Sequence, residues 1–469
     1  MTARMPGAPP LLADRSSDEY APRPPDVRTA RARGVVTERA ALHAPRLGVD
    51  SAAYVHARTG TATTLRAIDA AHGGGFYALD PDTEVDAAAA DGAFAPLGPV
   101  IDVQTHLVDP VRWHGAGADA LAGFLRMVDP ARWPDAVDPN LIDAAAWASL
   151  VFGTSETAIA LLTSTPGEAG RNVLSNPQIA ATREIVDRYA GSGRVRTHTI
   201  VHPNLGAGEL DRMTDLHDAL RPDGWKTYTL YGPPTAASPT GGWFLDDEEI
   251  GLPFLERVQS VGPRVVATHK GLGGPVPAAS TAAASPRDVG PAAAAFPDVR
   301  FLVYHSGYER DPDGEEGAFD PVTPRGVDRL VASLAQAGVA PGANVYAELG
   351  STWYLALRRP REAAHVLGKL LRAVGPDRIV WGTDSIWYGS PQPLVDAFRA
   401  FTIPERMQEE FGYPALTDDV KARILGTNAR AVYGIDDDEV ARAHGDASRA
   451  WLPELAASIT AEVSRVSTR

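Results

Sequence analysis

The 469-residue chain is predicted to be an α/β protein, a (β/α)8 TIM barrel with an N-terminal helical extension and a C-terminal helical tail. Eight short apolar runs alternate with helical stretches, which favours a parallel sheet joined by right-handed crossovers. Proline, glycine and aspartate mark the boundaries of these runs, and eight is the number of strands that closes such a barrel. The predicted strands are Val100–Thr105, Ala158–Thr163, Val195–Val201, Trp225–Leu230, Arg264–Thr268, Arg300–Tyr304, Asn344–Leu349 and Arg378–Thr383.

The strand pattern divides the chain into four segments. Residues 1–38 are rich in proline, arginine and alanine without periodicity, and are predicted to be a disordered tail. Residues 39–97 are predicted to form a helical lead-in, 98–435 a metal-dependent barrel, and 436–469 a C-terminal helical extension. The loop at 271–294 is long and rich in small residues, which is typical of a lid or substrate loop.

Composition excludes several classes of function. The formal charge of -15 argues against a nucleic-acid or anionic-membrane partner. Cysteine is absent, so any metal must have nitrogen and oxygen ligands. The chain has no run of about 18 apolar residues and no export-type leader, so we expect a cytoplasmic enzyme with a small-molecule substrate. The oligomeric state is left open, with a homo-oligomer among the alternatives.

Five predicted strands each carry a residue of a metal-ligand type near the carboxyl end. These residues are His106, His269, His305, Glu348 and Asp384. The strands of a (β/α)8 barrel all point the same way, so their carboxyl ends meet at one catalytic face. The sequence therefore predicts a metal site there, with two metal ions as the favoured number.

Two further residues are candidate ligands. Gln104 shares a strand face with His106, because side chains alternate along a strand, and an amide oxygen is a weak neutral ligand. Lys226 is one of only four lysines in the chain. Three roles are possible for it. It could form a carbamate that bridges two metals, act as a buried cation paired with Glu348 or Asp384, or lie at the start of its strand with its amine extended toward solvent.

Two residues are candidates for proton transfer. Asp384 ends the last predicted strand, where a carboxylate can bind metal and accept a proton from bound water. His202 lies at the rim after the third strand and is a candidate catalytic residue. The alternatives are a helix cap for Asp384 and a supporting or substrate-facing position for His202. A glutamate inside an apolar strand, as at Glu348, has a salt bridge as its alternative.

Aromatic residues follow the fourth, seventh and eighth predicted strands. They are candidates for the walls of an apolar substrate pocket, with core packing as the alternative. The residues are Tyr231, Trp243, Trp353, Trp387 and Tyr388.

Several of these motifs resemble the amidohydrolase superfamily across roughly residues 98–435. The resemblance rests on Asp-Val-Gln-Thr-His106, His269, His305, Trp-Gly-Thr-Asp384 and the closing run from Ile424 to Gly434. The family usually opens with His-x-His, and Gln104 stands in the place of its first histidine. That difference is unfavourable to ordinary zinc hydrolase chemistry.

A narrower resemblance is to TIM-barrel non-haem di-iron monooxygenases of diterpenoid biosynthesis. The matching stretches are Asp102-Val-Gln-Thr-His106, Trp225-Lys-Thr-Tyr, Leu245-Asp-Asp-Glu with Gly251-Leu-Pro, His269-Lys-Gly-Leu, Tyr304-His-Ser-Gly, Ala347-Glu-Leu-Gly-Ser-Thr-Trp and Gly382-Thr-Asp-Ser-Ile-Trp-Tyr-Gly-Ser-Pro. The resemblance implies two iron ions, dioxygen, an electron donor and a substrate that is often an acyl-CoA. Manganese with iron, or zinc, are the alternative metals.

The leading hypothesis from the sequence is therefore a di-iron monooxygenase of secondary metabolism that hydroxylates an apolar small molecule. The alternative enzyme is a metal-dependent hydrolase or decarboxylase of amidohydrolase type. A metal-binding pseudoenzyme that supports a partner subunit is the third reading.

Overall fold

The computed structural model describes most of the chain. The described residues are 9–13, 15–17, 19–20, 24–115, 118–130, 132–133, 135–165, 167, 170–191, 193–235, 238–272, 282–309, 315–445 and 449–466. The predicted loop at 271–294 falls partly outside them, at residues 273–281.

Eight parallel strands form one sheet in the order in which they occur along the chain. Each pairs with its sequence neighbour in parallel register, which confirms the predicted (β/α)8 fold. The strands are β1 Val100–Thr105, β2 Thr157–Leu162, β3 Val195–Ile200, β4 Gly224–Thr227, β5 Val265–His269, β6 Arg300–Tyr304, β7 Val345–Glu348 and β8 Ile379–Val380.

The sheet closes because the segment that follows β8 bonds to β1. The backbone N–H of Val103 donates to the carbonyl of Trp381 at 2.9 Å. One step further along, the N–H of Asp384 donates to the carbonyl of Gln104 at 2.9 Å. These bonds place the carboxyl ends of β1 and β8 side by side, so their side chains share one position on the catalytic face.

Within the described residues, twenty α-helices surround or flank the strands. Four precede the barrel: α1 Val27–His43, α2 Ser51–His56, α3 Arg58–Ala71 and α4 Ala87–Ala93. The crossovers and the segment after β8 contain α5 Pro110–Gly115, α6 Ala118–Val128, α7 Ala144–Ala148, α8 Asn176–Ala190, α9 Ala207–Leu220, α10 Gly251–Val261, α11 Val289–Ala295, α12 Val327–Gln336, α13 Thr352–Ala356, α14 Pro360–Ala373, α15 Gln392–Ala400, α16 Glu405–Phe411, α17 Asp418–Ala422 and α18 Asn428–Tyr433. The chain ends with α19 Asp437–Gly445 and α20 Leu452–Val466. Among the described helices, none has the length and apolar character needed to cross a bilayer.

The N-terminal segment differs from the predicted disordered tail. Helix α1 begins at Val27, capped by the Asp26 side chain, and buries Ala32, Val36 and Ala40. Those three residues are spaced four apart, a helical periodicity that the arginine-rich composition obscures. Before the helix, Leu11 and Leu12 are buried as well. The described part of this segment is therefore ordered and packed against the rest of the protein.

Candidate metal centre

The barrel gathers six of the predicted site residues at the carboxyl ends of its strands. All six are at most 2% exposed. They are Gln104 from β1, His106 after β1, His269 from β5, His305 after β6, Glu348 from β7 and Asp384 after β8. The geometry divides the ionisable ligand candidates into two adjoining groups, which we call the barrel-strand pair (His106 and Asp384) and the strap triad (Glu19, His269 and His305).

The strap triad contains a residue that the sequence analysis missed. Glu19 comes from the N-terminal segment and is buried between two imidazoles. One carboxylate oxygen lies 3.1 Å from Nδ1 of His269, and the other lies 3.1 Å from Nε2 of His305. The candidate ligand atoms of the three residues all lie within 4.8 Å of one another. This is the spacing of groups that can bind a single metal ion.

The barrel-strand pair is held by strand closure. Nε2 of His106 lies 3.1 Å from Oδ1 of Asp384. The Gln104 side-chain amide donates to the same oxygen at 3.1 Å, and its nitrogen lies 3.5 Å from Nε2 of His305. Gln104 therefore stands between the two groups. Rotation of its amide by half a turn would present the oxygen instead of the nitrogen, so it can act as a ligand.

Backbone carbonyls fix which nitrogen of each histidine faces the site. Nδ1 of His106 is 3.0 Å from the carbonyl of Thr163, Nε2 of His269 is 3.1 Å from that of Gly271, and Nδ1 of His305 is 2.7 Å from that of Gly350. A carbonyl only accepts, so each of these nitrogens carries the hydrogen. In the neutral ring the other nitrogen then has a lone pair directed at the site, which is the tautomer that a metal-ligating histidine adopts.

Electrostatics in the buried site favour a cation. Burial lowers the pKa of His269 to about 4. Burial would also lower the pKa of His305, but the Glu19 carboxylate outweighs it and raises that pKa to about 9. Burial raises the pKa of Glu348 to about 8 and that of Asp384 above its ordinary value. His269 is thus neutral, and His305 carries a single positive charge beside three buried carboxylic groups. A divalent metal would add the positive charge that these groups favour.

Glu348 supports the backbone of its neighbours. Its Oε2 accepts from the backbone N–H of His305 at 3.0 Å, and its Oε1 accepts from the N–H of Gly350. These bonds differ from both sequence-based alternatives, since neither a metal nor an arginine is needed to satisfy the carboxylate oxygens. Glu348 therefore fixes the position of His305, and its role as a ligand stays a prediction.

Close contacts at the site require glycine. A Cβ added to Gly382 would lie 1.8 Å from Oε1 of Glu348, and one added to Gly350 would lie 2.1 Å from Oε1 of Gln104. Gly350 stands two residues after Glu348, and Gly382 stands two residues before Asp384. Only a residue without a side chain lets these polar groups approach the backbone so closely.

Non-glycine residues at the strand ends adopt left-handed backbone conformations. The φ angles are 65° at His305, 54° at Ser306, 55° at Ser351 and 59° at Asp384. Such angles are uncommon outside glycine, and they concentrate at functional sites, where the surrounding structure enforces them. Ser351 is itself a contact of Asp384, because its hydroxyl donates to Oδ2 and also touches the hydroxyl of Tyr388.

Two other predicted site residues make contacts of a different kind. Among the described residues, no hydrogen bond or ion pair links the His202 side chain to the ligand candidates; its backbone N–H contacts Glu209. The amine of Lys226 lies 3.5 Å from the ring centroid of Tyr304 and 4.6 Å from that of Tyr228. These cation–π contacts were not among the three alternatives considered for Lys226.

The predicted aromatic walls separate into two kinds. Trp353 packs edge-on against Phe398 and Phe401, and Trp243 packs edge-on against Phe254, which are contacts of the outer helical layer. This is the core-packing alternative.

Three other aromatic residues were predicted for the same walls. Tyr388 reaches the site through Ser351, whereas the carbonyls of Trp387 and Tyr231 accept hydrogen bonds from Arg132 and Asn204. Whether these three contact a substrate stays a prediction.

Comparison with known proteins identifies the family. The amidohydrolase family profile matches residues 101–435, well over half of the chain. The chain therefore belongs to the amidohydrolase family, as the broader resemblance predicted. A search of curated proteins finds no match. The narrower resemblance to di-iron monooxygenases rests on the sequence motifs alone.

Solved structures with a similar backbone include three enzymes. The 5-carboxyvanillate decarboxylase of Sphingomonas paucimobilis aligns with a TM-score of 0.44 and 15% identity, covering 72% of this chain and 99% of that one. A probable 2-pyrone-4,6-dicarboxylic acid hydrolase of Acinetobacter baumannii aligns at 0.42 and 13%, with coverages of 72% and 99%. A manganese-bound dihydroxybenzoic acid decarboxylase of Polaromonas sp. JS666 aligns at 0.44 and 15%, with coverages of 73% and 99%. At these scores we take no function from them.

Proposed function

We propose that this protein is a metal-dependent hydrolase or decarboxylase of amidohydrolase type that acts on a small organic molecule. The observation that carries the proposal is the set of three histidines whose backbone bonds leave one lone pair each directed at buried carboxylates. Family membership supports the same class of reaction. This is the alternative of the sequence analysis, and it takes the place of the monooxygenase hypothesis as the leading reading.

Each of the two ligand groups is assigned one metal ion. The strap triad and the barrel-strand pair would each hold one metal ion, with Gln104 between them. A bound divalent metal would supply Lewis acidity and acidify water. Nitrogen and oxygen ligands without sulfur suit zinc, manganese or iron.

Asp384 is the proposed general base. Its Oδ2 is held by Ser351, while Oδ1 faces His106 and Gln104. A carboxylate held in this way can accept a proton from water at Oδ1 and return it to the leaving group. Burial raises the pKa of Asp384, which makes it a stronger base than an exposed aspartate.

The first test is the metal content of the full-length protein, measured by inductively coupled plasma mass spectrometry. We expect about two equivalents of divalent metal, one for each group. The double variant His269→Ala, His305→Ala should lose most of it. His217→Ala removes a histidine exposed on α9 and is the matched control, which should keep the metal content unchanged. An unaltered content in the double variant would refute the proposed centre.

The monooxygenase hypothesis remains as a second candidate. It is favoured by Gln104 in place of a histidine and by the carboxylate that Glu19 adds, because oxygen-rich shells suit iron and manganese. Turnover in strictly anaerobic buffer, without an electron donor, supports the hydrolase or decarboxylase. A strict requirement for dioxygen and a reductant, with iron bound, supports the monooxygenase.

A further inference from the structure

We infer that Glu19 is a metal ligand delivered by an N-terminal strap, so that metal binding and docking of the strap form one coupled equilibrium. The strap comprises the described residues 9–13, 15–17, 19 and 20. This inference rests on the proposed function, since it requires the strap triad to bind a metal. It goes further by assigning a ligand from outside the barrel and a conformational consequence of its use.

Glu19 is far from the barrel in sequence and inside it in space. It stands 81 positions before Val100, where β1 begins. Its carboxylate contacts only imidazole nitrogens of His269 and His305 among the described side chains. A carboxylate without cationic partners is costly to bury, so its position depends on the positive charge between the two rings. A metal ion would supply more charge there than one shared proton does.

The rest of the strap is held by side chains of α13 and of the segment that follows it. The hydroxyl of Tyr354 donates to the carbonyl of Ala13 at 2.7 Å. Arg358 donates to the carbonyls of Leu11 and Ala13, each at 2.7 Å. These contacts use the backbone of the strap, so they are largely independent of its sequence. Glu19 is the strap residue whose side chain reaches the ligand cluster.

A second set of contacts joins the strap to the segment after β8. Arg15 donates to the carbonyl of Tyr388 at 2.7 Å, and the hydroxyl of Tyr20 donates to the carbonyl of Arg15 at 3.2 Å. Tyr388 also touches Ser351, which in turn bonds Asp384. Docking of the strap is thereby connected to both ligand groups of the centre.

Linkage then sets the direction of the effect. A metal that binds only when Glu19 is in place stabilises the docked strap by the factor 1 + [M]/Kd, which is about 100-fold at a concentration of 100 Kd. By reciprocity, weakening the docked strap must weaken metal binding by the same factor. In the metal-free protein the strap opens more often, which exposes the two histidines for metal loading.

Hydrogen–deuterium exchange of the full-length protein tests the coupling, with Mn²⁺ alone as the probe. We expect manganese to slow exchange in peptides that cover residues 9–20. Glu19→Gln should abolish this metal-dependent protection and weaken manganese binding by more than about tenfold, since loss of an outer partner alone costs about 10–100-fold. Glu38→Gln makes the same charge change on the exposed face of α1 and should behave as the wild type.

Tyr354→Phe supplies the reciprocal measurement. It removes one anchor of the strap without touching the ligand cluster, so it should raise exchange of the strap and lower manganese affinity together. The inference is wrong if Glu19→Gln binds manganese with wild-type affinity. It is also wrong if manganese does not change the exchange rate of the wild-type strap. Either result leaves the proposed function unaffected. Absence of metal binding by the wild type overturns both.

Discussion

The two ligand groups of the centre are built in different ways. The barrel-strand pair comes from β1 and the segment after β8, which strand closure brings into register. The strap triad combines two strand-end histidines with a carboxylate from a distant segment. The barrel alone is sufficient to place His106 beside Asp384, whereas His269 and His305 gain their carboxylate only when the strap is docked. One group is thus a product of the fold, and the other depends on an added contact.

The pKa values of the carboxyl groups also differ between the pair and the triad. In the pair, burial raises the pKa of Asp384. In the triad, the two imidazoles outweigh burial and hold the pKa of Glu19 well below its ordinary value. The triad therefore keeps a charged carboxylate beside a protonated His305 when no metal is bound. Variants at the two groups should therefore respond differently.

Gly382→Ala should have the largest effect, because it attacks the part of the site that closure builds. The added Cβ would lie 1.8 Å from Oε1 of Glu348, and backbone or side chain must move. We expect a loss of about 3 kcal/mol or more in the free energy of unfolding, at the upper end of overpacking effects. Chemical denaturation with a metal assay measures it.

Gly34→Ala is the matched control, since no atom lies within 4 Å of its added Cβ. In the middle of α1 it should stabilise by about 0.5–1 kcal/mol. Equal stability of the two variants would show that the strand ends are looser than the structure indicates.

His305→Ala and His106→Ala should differ in metal retention. His305 contacts Glu19 directly and lies 3.5 Å from Gln104, so its loss disturbs both groups. His106 contacts Asp384, the other member of the barrel-strand pair. We expect His305→Ala to weaken metal binding by about 100-fold or more, at or beyond the upper range of outer-partner losses. His106→Ala should retain about one equivalent, in the triad. Equal losses would indicate a single ion shared by all the ligands.

A buried histidine outside the centre, His365, makes the stability of the protein depend on pH, and this effect must be separated from that of the two ligand groups. His365 is buried against Phe411 and Tyr413, and burial lowers its pKa to about 4. A histidine with a lowered folded pKa stabilises fully above its unfolded pKa of about 6.5, and that stability is lost as the pH falls toward 4. At pH 5 this loss is about 2 kcal/mol relative to pH 7.5.

The loss is measured by urea denaturation of the metal-free protein at both pH values. His365→Gln should show a smaller decrease in stability than the wild type by that amount. His217→Gln, on the surface of α9, should keep the full decrease. If His365→Gln loses as much stability between pH 7.5 and pH 5 as the wild type, the acid sensitivity arises from the metal centre and not from His365.

Ser351→Ala should have the smallest effect. It removes the hydroxyl that bonds Asp384 and touches Tyr388 but leaves every proposed ligand in place. We expect metal affinity to fall about tenfold, the lower range for loss of an outer partner. Ser149→Ala, an exposed serine bonded only to its own helix, should leave affinity unchanged. An unchanged affinity in Ser351→Ala would mean that closure alone fixes Asp384.

The fold was accessible from the sequence because short runs rich in apolar and β-branched residues alternate with helical stretches, with proline, glycine and aspartate at their boundaries. All eight predicted strands are present, and β1 and β6 have the predicted bounds. The strand β8 was predicted one residue longer at its amino end and three residues longer at its carboxyl end, through Thr383. Residues Trp381 to Thr383 directly follow the apolar run, but this segment bonds to β1 outside regular pairing. The N-terminal helix was missed because composition was weighed above the spacing of Ala32, Val36 and Ala40.

The site was only partly accessible for a different reason. Strand ends converge by topology, so His106, His269, His305 and Asp384 could be grouped without coordinates. No strand or helix pattern in the sequence places Glu19 at this face. The residue follows no strand, belongs to no helix and lies in a proline-rich segment. The orientation of Trp353 toward the outer helices also depends on packing that the sequence pattern does not encode.

The position of Glu19 has a consequence for how such enzymes diverge. The family match spans residues 101–435 and leaves this carboxylate outside. A ligand in that location can be gained or lost by substitution in a segment that lies outside the matched region. Two barrels with the same strand-end residues could therefore differ in how tightly they retain metal, and comparison of their shared region would show no cause.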